Sequence, residues 1–430
     1  MSVKPVTLES AEPVLLELSA NGSQAPTGGL RAGIAKQILR LATRQVSVDV
    51  ALPDGTLLNR RRGSSADGRP GIVLRRPESF YGRIAANPKI GLGEGYTAGD
   101  WDTADGTDLA DALTPYAERL GGLLPGWMLR LGRLVDQPIP ADQRGAVEHS
   151  QENIAAHYDL GNDMFAAFLD PSLSYSSALF DHTRPVAEQS LHEAQLRKVD
   201  AALDLAGVGA GDEVLEIGTG WGTLAIEAAR RGARVTTVTL SVEQAALARE
   251  RIEAVGCSDR VEVLVQDYRH VVGTFDAVVS VEMIEAVGER YWPDYFAALS
   301  RLVRPGGAIA LQSILMPHQR YLATRHSYGW IQKHIFPGGL IPSATAIAEQ
   351  AAHVGLSVTR TDRFGADYAE TLRRWRSAFL AAWPTIESDT FGEEFRRTWE
   401  FYLAYCEAGF RAGAIDVAQI RLEADGREDS

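Results

Sequence analysis

The chain has 430 residues, too many for one ordinary hydrophobic core, so its length predicts at least two domains. Its 45% hydrophobic and 23% charged residues are typical of a globular protein, and its two cysteines exclude a disulfide framework or a cysteine-rich metal cluster. The net charge of -13 argues against nucleic-acid binding, and no apolar run reaches the roughly 18 to 20 residues that span a bilayer.

The residues before position 151 divide into three parts. Residues 1–30 are rich in Gly, Pro, Ser and Ala and are predicted to form a flexible N-terminus without a signal peptide, which favours a cytoplasmic location. Residues 31–135 mix helical and strand-like patterns, and "QVSVDVALPDGTLLN" predicts a hairpin that turns at Pro-Asp-Gly. We therefore expect a smaller α+β domain here, followed by a polar linker over residues 136–150 and a second domain over 151–425.

Strands and helices alternate from about residue 190 onward. The predicted strands are "DEVLEIGTG", "ARVTTVTLS", "RVEVLVQDY", "FDAVVSVEM" and "GGAIALQSI". Helical patterns of ten or more residues separate most of these strands, and the strands are almost entirely apolar. This alternation predicts an α/β fold with a mostly parallel, doubly wound sheet that helices cover on both faces.

A glycine-rich turn follows the first of these strands. The segment "VLEIGTGWGT" places Glu216 at the strand end, and Gly218, Gly220 and Gly222 come after it. Glycines let the backbone turn tightly and approach a ligand at the carboxyl edge of a parallel sheet. The Gly-x-Gly-x-Gly spacing differs from the Gly-x-Gly-x-x-Gly of dinucleotide sites. With an acid before the first glycine, this pattern favours S-adenosylmethionine over a nicotinamide cofactor.

The next two strand ends carry further candidate ligand contacts. After the second strand, Glu243 or Gln244 could bind ribose hydroxyls in place of the usual acid. After the third strand, Asp267 is placed to accept a hydrogen bond from an adenine amine, although an Asp at a strand end is more often a turn or cap residue. The histidines have no HExxH spacing and no cysteine partners, so no metal is predicted.

Six segments in order resemble the cyclopropane-fatty-acyl-phospholipid synthases. They are "HYDLGNDMFAAFLDPSLSYSSALF", "VLEIGTGWGTLAIEAA", "VTLSVEQ", "DRVEVLVQDYR", "WIQKHIFPGGLIPS" and "FGADYAETLRRW". The resemblance covers residues 150–425 and, more weakly, residues 70–115. It implies a Rossmann-like class I methyltransferase with a helical cover, which alkylates the cis double bond of a phospholipid acyl chain with S-adenosylmethionine. It also implies an N-terminal domain for lipid contact, peripheral attachment to the inner face of the cell membrane, and a homodimer.

The resemblance also assigns individual residues. The predicted cofactor contacts are Tyr175, Ser176, Glu216, Gly218, Gly220, Gly222, Thr239, Leu240, Gln244, Asp267 and Tyr268. The predicted lining of an acyl tunnel, for which simple core packing is the alternative, is Met164, Phe165, Phe168 and Leu169. The aromatic side chains expected to stabilise a carbocation on the acyl chain are Tyr175, Trp330, Tyr368 and Trp375.

In the family a bound bicarbonate takes the final proton, and here its predicted site is altered. The resemblance puts Ser177 at the position of a cysteine and Gln312 at the position of a histidine, whereas Glu285 and Tyr368 remain. Glu282 stands where the synthases often have a small residue. The predicted catalytic residues are therefore Glu285, Glu282, Tyr368, Ser177, Gln312 and His157, the last either a base or a hydrogen-bonding tie between loops.

Two products are open at this point, because the position of the base decides the fate of the cation. The loss of the cysteine and histidine, with the gain of Glu282, resembles the actinobacterial branch that makes 10-methylene precursors of 10-methyl fatty acids such as tuberculostearic acid. A separate reductase would then complete the methyl branch. The alternative is a cyclopropane synthase in which Ser177 and Gln312 still hold bicarbonate through amide groups. The apolar cover disfavours a small-molecule methyltransferase, and the intact "EIGTGWG" disfavours a non-enzymatic lipid carrier. The glycine spacing disfavours an oxidoreductase.

Overall fold

The computed structural model describes residues 30–59, 69–119, 161–388 and 391–424. Its first elements are α1 (Leu30–Thr43), β1 (Asp49–Ala51), β2 (Gly71–Leu74), α2 (Pro77–Ala86), α3 (Pro88–Thr97), β3 (Trp101–Thr103) and α4 (Leu109–Ala117). Strands β1, β2 and β3 form a small sheet in that order, with β1 parallel and β3 antiparallel to β2. The predicted Pro-Asp-Gly turn is present, because the amide of Leu52 donates to the carbonyl of Thr56 at 2.8 Å.

The second part of the chain builds a larger sheet. Its elements up to the fifth strand are α5 (Asn162–Phe168), α6 (Leu191–Ala206), β4 (Glu213–Ile217), α7 (Thr223–Arg230), β5 (Arg234–Thr239), α8 (Val242–Ala254), β6 (Val261–Val265), β7 (Phe275–Val281), α9 (Ile284–Val287), α10 (Trp292–Leu302) and β8 (Val303–Leu315). The remaining elements are α11 (His318–Thr324), α12 (Trp330–His334), α13 (Ala344–His353), β9 (Leu356–Arg363), α14 (Gly365–Ile386), α15 (Glu393–Arg411) and β10 (Asp416–Ala424).

The seven strands lie in the order β6-β5-β4-β7-β8-β10-β9, and the first five are parallel. Successive side chains of a strand face opposite sides of the sheet, and here both sides are covered. Leu215 and Ile217 of β4 join the apolar cluster on one face, whereas Val214 joins the cluster on the other. The predicted α/β fold with a mostly parallel, doubly wound sheet is therefore confirmed.

The sheet also contains two strands that the alternating pattern did not predict. Strand β10 lies between β8 and β9 and is antiparallel to both. Strand β9 is exposed at every position after Leu356, so it has no alternation of apolar and polar residues to reveal it. Strand β10 matters for the site because it pairs Gln419 with Gln312 of β8.

The N-terminal elements pack against the last two long helices. Arg376 of α14 donates to both carboxylate oxygens of Asp108, at 2.9 and 2.8 Å, and also reaches the buried Glu407. The guanidinium of Arg397 in α15 lies 4.0 Å from the ring centre of Tyr96. Since Arg376 is almost fully buried, these contacts tie α4 to the core of the larger part rather than to its surface.

Several sequence predictions fall outside the described residues. They concern His157, the linker over residues 136–150 and all but the last residue of the flexible N-terminus. Within the described ranges, no helix combines the length and apolar character that crossing a membrane requires.

Candidate active site

The glycine turn after β4 has the backbone that its sequence predicts. Gly218, Gly220 and Gly222 have φ angles of 100°, 51° and 87°, in the region that favours glycine. A Cβ atom on Gly218 would lie 2.7 Å from Cγ of Met283, so the close approach also requires glycine. The turn therefore leaves its backbone open to a ligand at the carboxyl end of β4.

A buried carboxyl group stands directly before this turn. Glu216 is 4% exposed, and its Oε2 accepts a hydrogen bond from Thr237 at 2.6 Å. Burial raises the pKa of Glu216 to about 8, while the Thr237 bond and the charge of Lys198 oppose the rise. The Thr237 bond and Lys198 offset only part of the cost of burying the ionised Glu216 carboxylate. A ligand that brings a positive charge would therefore stabilise this ionised form. The amino group and sulfonium of S-adenosylmethionine fit this requirement.

Further predicted cofactor residues lie at the neighbouring strand ends. The hydroxyl of Thr239 donates to Gln244 at 3.0 Å, and Leu240 follows directly at the end of β5. Asp267 is observed as a cap, because its Oδ1 accepts from the amide of Arg269 at 2.9 Å and its side chain is ion-paired with the same residue. Burial opposes ionisation, but the bonds from Arg269 hold the pKa of Asp267 below its usual range. Its bond to adenine stays a prediction.

A segment that we call the cover segment, residues 169–182, crosses the same edge of the sheet. It is fixed to α14, because Asp367 accepts from the amide of Phe180 at 2.9 Å and Thr371 accepts from the amide of Ala178 at 3.2 Å. Ser177 lies between Tyr175 and these bonds and is fully buried. Its hydroxyl donates to the carbonyl of Ala178 at 3.0 Å, whereas its backbone amide points to Glu282, at the end of β7.

Two buried residues of α6 hold the cover segment and were not predicted. Gln195 donates to the carbonyls of Ser176 and Ser174, at 2.8 and 3.3 Å, while its own Oε1 has no partner within the described ranges. Lys198, which is 2% exposed, donates to the hydroxyl of Ser176 at 2.6 Å. Burial lowers the pKa of Lys198 to about 8, and the charge of Glu282 is the largest influence that opposes this. Two polar residues on the apolar face of a helix were the signal that sequence reasoning missed.

The cover segment, two strands and a helix meet at Glu282. Its Oε1 accepts from the amide of Ser177 at 2.9 Å and from Nε2 of Gln312 at 2.8 Å. Its Oε2 accepts from the hydroxyl of Tyr368 at 2.7 Å. Glu282 is half-buried by area, but protein surrounds its carboxyl group, and this desolvation raises its pKa against the effect of the three bonds and of Lys198. The structure thus joins four of the six predicted catalytic residues in one cluster.

The orientation of the Gln312 amide in this cluster is fixed by Gln419. Nε2 of Gln419 donates to Oε1 of Gln312 at 3.1 Å and to the carbonyl of Lys198 at 2.9 Å. Oε1 of Gln312 is therefore an acceptor, and its Nε2 must point toward Glu282. In addition, the amide of Glu282 donates to the carbonyl of Gln312 at 2.7 Å, so β7 and β8 stay joined at this edge.

Glu285, the fifth predicted catalytic residue, lies beside this cluster in a different environment. Its Oε1 accepts from the hydroxyl of Ser313 at 2.9 Å and from the amide of Ile314 at 2.5 Å. Its buried Oε2 has no partner in the part of the chain that the structure describes. Burial, followed by the negative charge of Glu282, raises the pKa of Glu285 to about 8. At neutral pH Glu285 is therefore largely protonated.

Aromatic side chains continue from this cluster toward α5. The ring of Tyr368 lies 6.2 Å from Trp375, and Trp375 lies 5.3 Å from Tyr175. Trp330, also predicted near the cation, instead packs 4.8 Å from Phe401, against the N-terminal elements. The predicted tunnel residues are all buried in the aromatic core and are Met164, Phe165, Phe168 and Leu169. They are packed as core residues here, and their role in acyl binding stays a prediction.

The fold and the glycine turn define an S-adenosylmethionine-dependent methyltransferase of class I. Residues 146–420 match the family of mycolic acid cyclopropane synthetases, and the chain belongs to this family. It is 46% identical over 407 residues to tuberculostearic acid methyltransferase UfaA1 of Mycobacterium tuberculosis, and this alignment covers 94% of each chain. It is 33% identical over 385 residues to the cyclopropane-fatty-acyl-phospholipid synthase of Escherichia coli, in an alignment that covers 86% of this chain and 94% of that one.

A solved structure shows the same relationship. Mycolic acid cyclopropane synthase CmaA1, complexed with SAH and CTAB, superposes with a TM-score of 0.57 at 30% identity and covers 63% of this chain and 97% of that one. The resemblance that the six sequence motifs indicated is thus confirmed. The chain is an enzyme of a family that methylates fatty acids, and the roles of its individual residues stay predictions.

Proposed function

We propose that this protein transfers the methyl group of S-adenosylmethionine to the cis double bond of an unsaturated, oleoyl-type acyl chain in a phospholipid, and that the product is a 10-methylene-branched chain. The observation that carries the proposal is the hydrogen-bonded cluster of Glu282 with Ser177, Gln312 and Tyr368. It places a buried carboxyl group at the carboxyl edge of β7 and β8, beside the glycine turn of β4. The similarity to tuberculostearic acid methyltransferase UfaA1 supports the same assignment.

S-Adenosylmethionine supplies an electrophilic methyl group on a sulfonium. The electron pair of the alkene forms the new carbon–carbon bond as the carbon–sulfur bond breaks, and a cation remains on the chain. The rings of Tyr175, Trp375 and Tyr368 provide aromatic faces next to the carboxyl cluster, where a cation is stabilised. A hydride shift then moves the cation to the methylated carbon, and loss of a methyl proton to a base forms the methylene group.

The alternative product is a cyclopropane, as in the similar synthase of Escherichia coli. One observation favours it, because the family resemblance still has Glu285 and Tyr368 at the positions of the bicarbonate site, and the buried Oε2 of Glu285 has no partner among the described residues. In that case the proton leaves the added methyl group while the ring closes, with no hydride shift. The two products are isomers of equal mass, which differ in their carbon–carbon bonds and in the position of one hydrogen.

The experiment is therefore a product analysis by proton NMR. The purified enzyme is incubated with S-adenosylmethionine and vesicles of dioleoyl phospholipid, without a reductase, and the released fatty acids are examined. We expect vinylidene proton signals and no high-field cyclopropane signals. Cyclopropane signals alone would refute the methylene proposal while leaving the methyltransferase family unaffected.

The predicted partners extend this proposal. A separate reductase would convert the methylene to a methyl branch, because that step adds a hydride and a proton, which methyl transfer from S-adenosylmethionine does not supply. Peripheral contact with the inner face of the membrane and association as a homodimer stay predictions. Vesicle sedimentation and light scattering of the purified protein would test them.

A further inference from the structure

The donors that the family resemblance predicts for bicarbonate are already engaged by the protein itself. The amide of Ser177, Nε2 of Gln312 and the hydroxyl of Tyr368 all donate to the Glu282 carboxylate, at 2.9, 2.8 and 2.7 Å. A bicarbonate ion would need the same three donors and would face the carboxyl groups of Glu282 and Glu285. The residues present therefore do not fit a bound bicarbonate.

We propose that the carboxylate of Glu282 replaces bicarbonate as the proton acceptor, so that this enzyme carries its own base and turns over without bicarbonate. The inference rests on the proposed methyl transfer to an alkene, but it does not depend on which of the two products forms. Its physical basis is that a carboxylate and a bicarbonate present the same pair of oxygen atoms to hydrogen-bond donors.

The hydrogen bonds identify the reacting atom. A carboxylate has about four lone-pair positions, two on each oxygen. Oε1 of Glu282 uses both of its positions, for Ser177 and Gln312, whereas Oε2 uses one, for Tyr368. The remaining position on Oε2 accepts the proton. The carbon–hydrogen bond of the added methyl group breaks, and an O–H bond forms on Oε2. The electron pair of the broken bond forms the second bond of the methylene double bond, or the ring-closing bond in a cyclopropane. The proton passes to solvent when the acid ionises again.

The surroundings favour Glu282 over Glu285 as this base. Glu285 is held neutral at physiological pH by burial and by the nearby Glu282, which raise its pKa to about 8. Burial raises the pKa of Glu282 as well, but three hydrogen-bond donors and the charge of Lys198 oppose the rise and stabilise its ionised form. A single negative charge in the pair is the arrangement that a shared low-dielectric site prefers, since two adjacent carboxylates repel each other.

The backbone at Glu282 is a second indication that its side chain is placed for function. Its φ angle is 52°, and among the described residues only Leu173 is another non-glycine residue with a positive φ. Such a conformation costs of the order of 1 kcal/mol for a residue with a Cβ atom. Glycine would remove this cost, so Glu282→Gly should fold and leave a cavity lined by the three free donors.

Two matched variants test the proposal. Glu282→Gly removes the carboxylate and opens its place, whereas Glu282→Gln fills the same place with an amide that is not a base. We expect both variants to lose roughly 10²- to 10⁴-fold in kcat, the usual contribution of a general base. Bicarbonate or formate at millimolar concentration should restore activity to Glu282→Gly and not to Glu282→Gln, because only the first has room for the anion.

The wild-type enzyme provides the decisive control. Its rate should not change when buffers are stripped of carbon dioxide and bicarbonate, and ¹³C-bicarbonate should show no binding by NMR. Glu282→Gly should bind one equivalent of bicarbonate in the same NMR titration, which needs no activity. A wild-type rate that falls without bicarbonate would overturn the proposal, as would a Glu282→Gly variant that is folded and neither binds nor is rescued by the anion.

The measurements also separate this inference from the proposed function. Vinylidene products from an enzyme that needs bicarbonate would support the proposed function and refute the proposal that Glu282 is the base. Cyclopropane products from an enzyme that needs no bicarbonate would refute the methylene product and support Glu282 as the base. If Glu282→Gly fails to fold, as judged by circular dichroism, the stripping experiment on the wild type and the Glu282→Gln variant still decide the matter.

Discussion

Removing one hydroxyl, in Tyr368→Phe, tests whether the Glu282 carboxylate works as a base. The ring of Tyr368 lies 4.5 Å from that of Phe410 and stacks on it, so phenylalanine preserves the packing. The variant loses only the 2.7 Å hydrogen bond to Oε2 of Glu282. A hydrogen bond to a charged group contributes about 1.5 to 3 kcal/mol. This bond favours the ionised form, so its loss should raise the pKa of Glu282 by about 1 to 2.

The assay is the pH dependence of kcat/KM for methyl transfer to oleoyl phospholipid. If Glu282 must be ionised, the acidic limb of the profile should move upward by about 1 to 2 pH units in Tyr368→Phe. Tyr402→Phe is the matched control, because its buried hydroxyl bonds the hydroxyl of Tyr175 at 2.9 Å and not a carboxylate. An acidic limb at the same pH in Tyr368→Phe and wild type would refute the assignment of Glu282 as the base.

Four further variants probe the buried charges and the glycine turn. Burial lowers the pKa of Lys198 from 10.5 to about 8, so wild-type stability should rise by up to about 3 kcal/mol between these pH values, and Lys198→Met should lack the rise in urea titrations. Burial raises the pKa of Glu285 from 4.5 to about 8, so stability should fall as pH increases through this range. Glu285→Gln should reduce the fall in the same assay, while the share that comes from the similarly raised pKa of Glu216 remains. Gly218→Ala should weaken S-adenosylmethionine binding at least tenfold by calorimetry, because its Cβ would meet Met283 at 2.7 Å with φ near 100°. In Gly220→Ala the new Cβ atom would lie in open space, so this variant should lose only about 1 kcal/mol of stability. Equal weakening of S-adenosylmethionine binding by the two substitutions would contradict the steric argument.

The parallel part of the sheet was predictable because its signals are local. Apolar strands alternate with helical segments, and the glycines after β4 specify a backbone that few other residues adopt. The carboxyl edge of a parallel sheet then follows as the place of the site. By contrast, β9 pairs only with β10 and is almost entirely exposed, so neither periodicity nor hydrophobicity distinguishes it from a loop.

The site residues required contacts between distant parts of the chain. Ser177, Glu282, Gln312 and Tyr368 span nearly 200 residues of the sequence, and only the family resemblance suggested that they belong together. The resemblance also suggested that Gln312 stands in for a histidine, but not which way its amide points. That orientation depends on Gln419 in a strand that the sequence pattern did not reveal.

Lys198 illustrates a signal that was present in the sequence and was not used. Gln195 and Lys198 lie three residues apart on the face of α6 that also buries Val199 and Ala202. Polar side chains on a buried helix face need partners, because an uncompensated buried charge is costly. Their presence on an apolar stripe therefore indicated a polar site beneath the helix before any fold was known.

The position of Lys198 also couples the two halves of the reaction site. Its ammonium group bonds Ser176, a predicted cofactor contact, and its charge acts on both Glu216 at the glycine turn and Glu282 at the proton-accepting cluster. A bound sulfonium ligand would add a positive charge near Glu216 and so favour ionisation of the surrounding carboxyl groups. When the methyl group is transferred, the sulfonium loses this charge while a cation forms on the acyl chain. In the proposed mechanism the positive charge thus leaves the sulfonium at the step before Glu282 takes a proton.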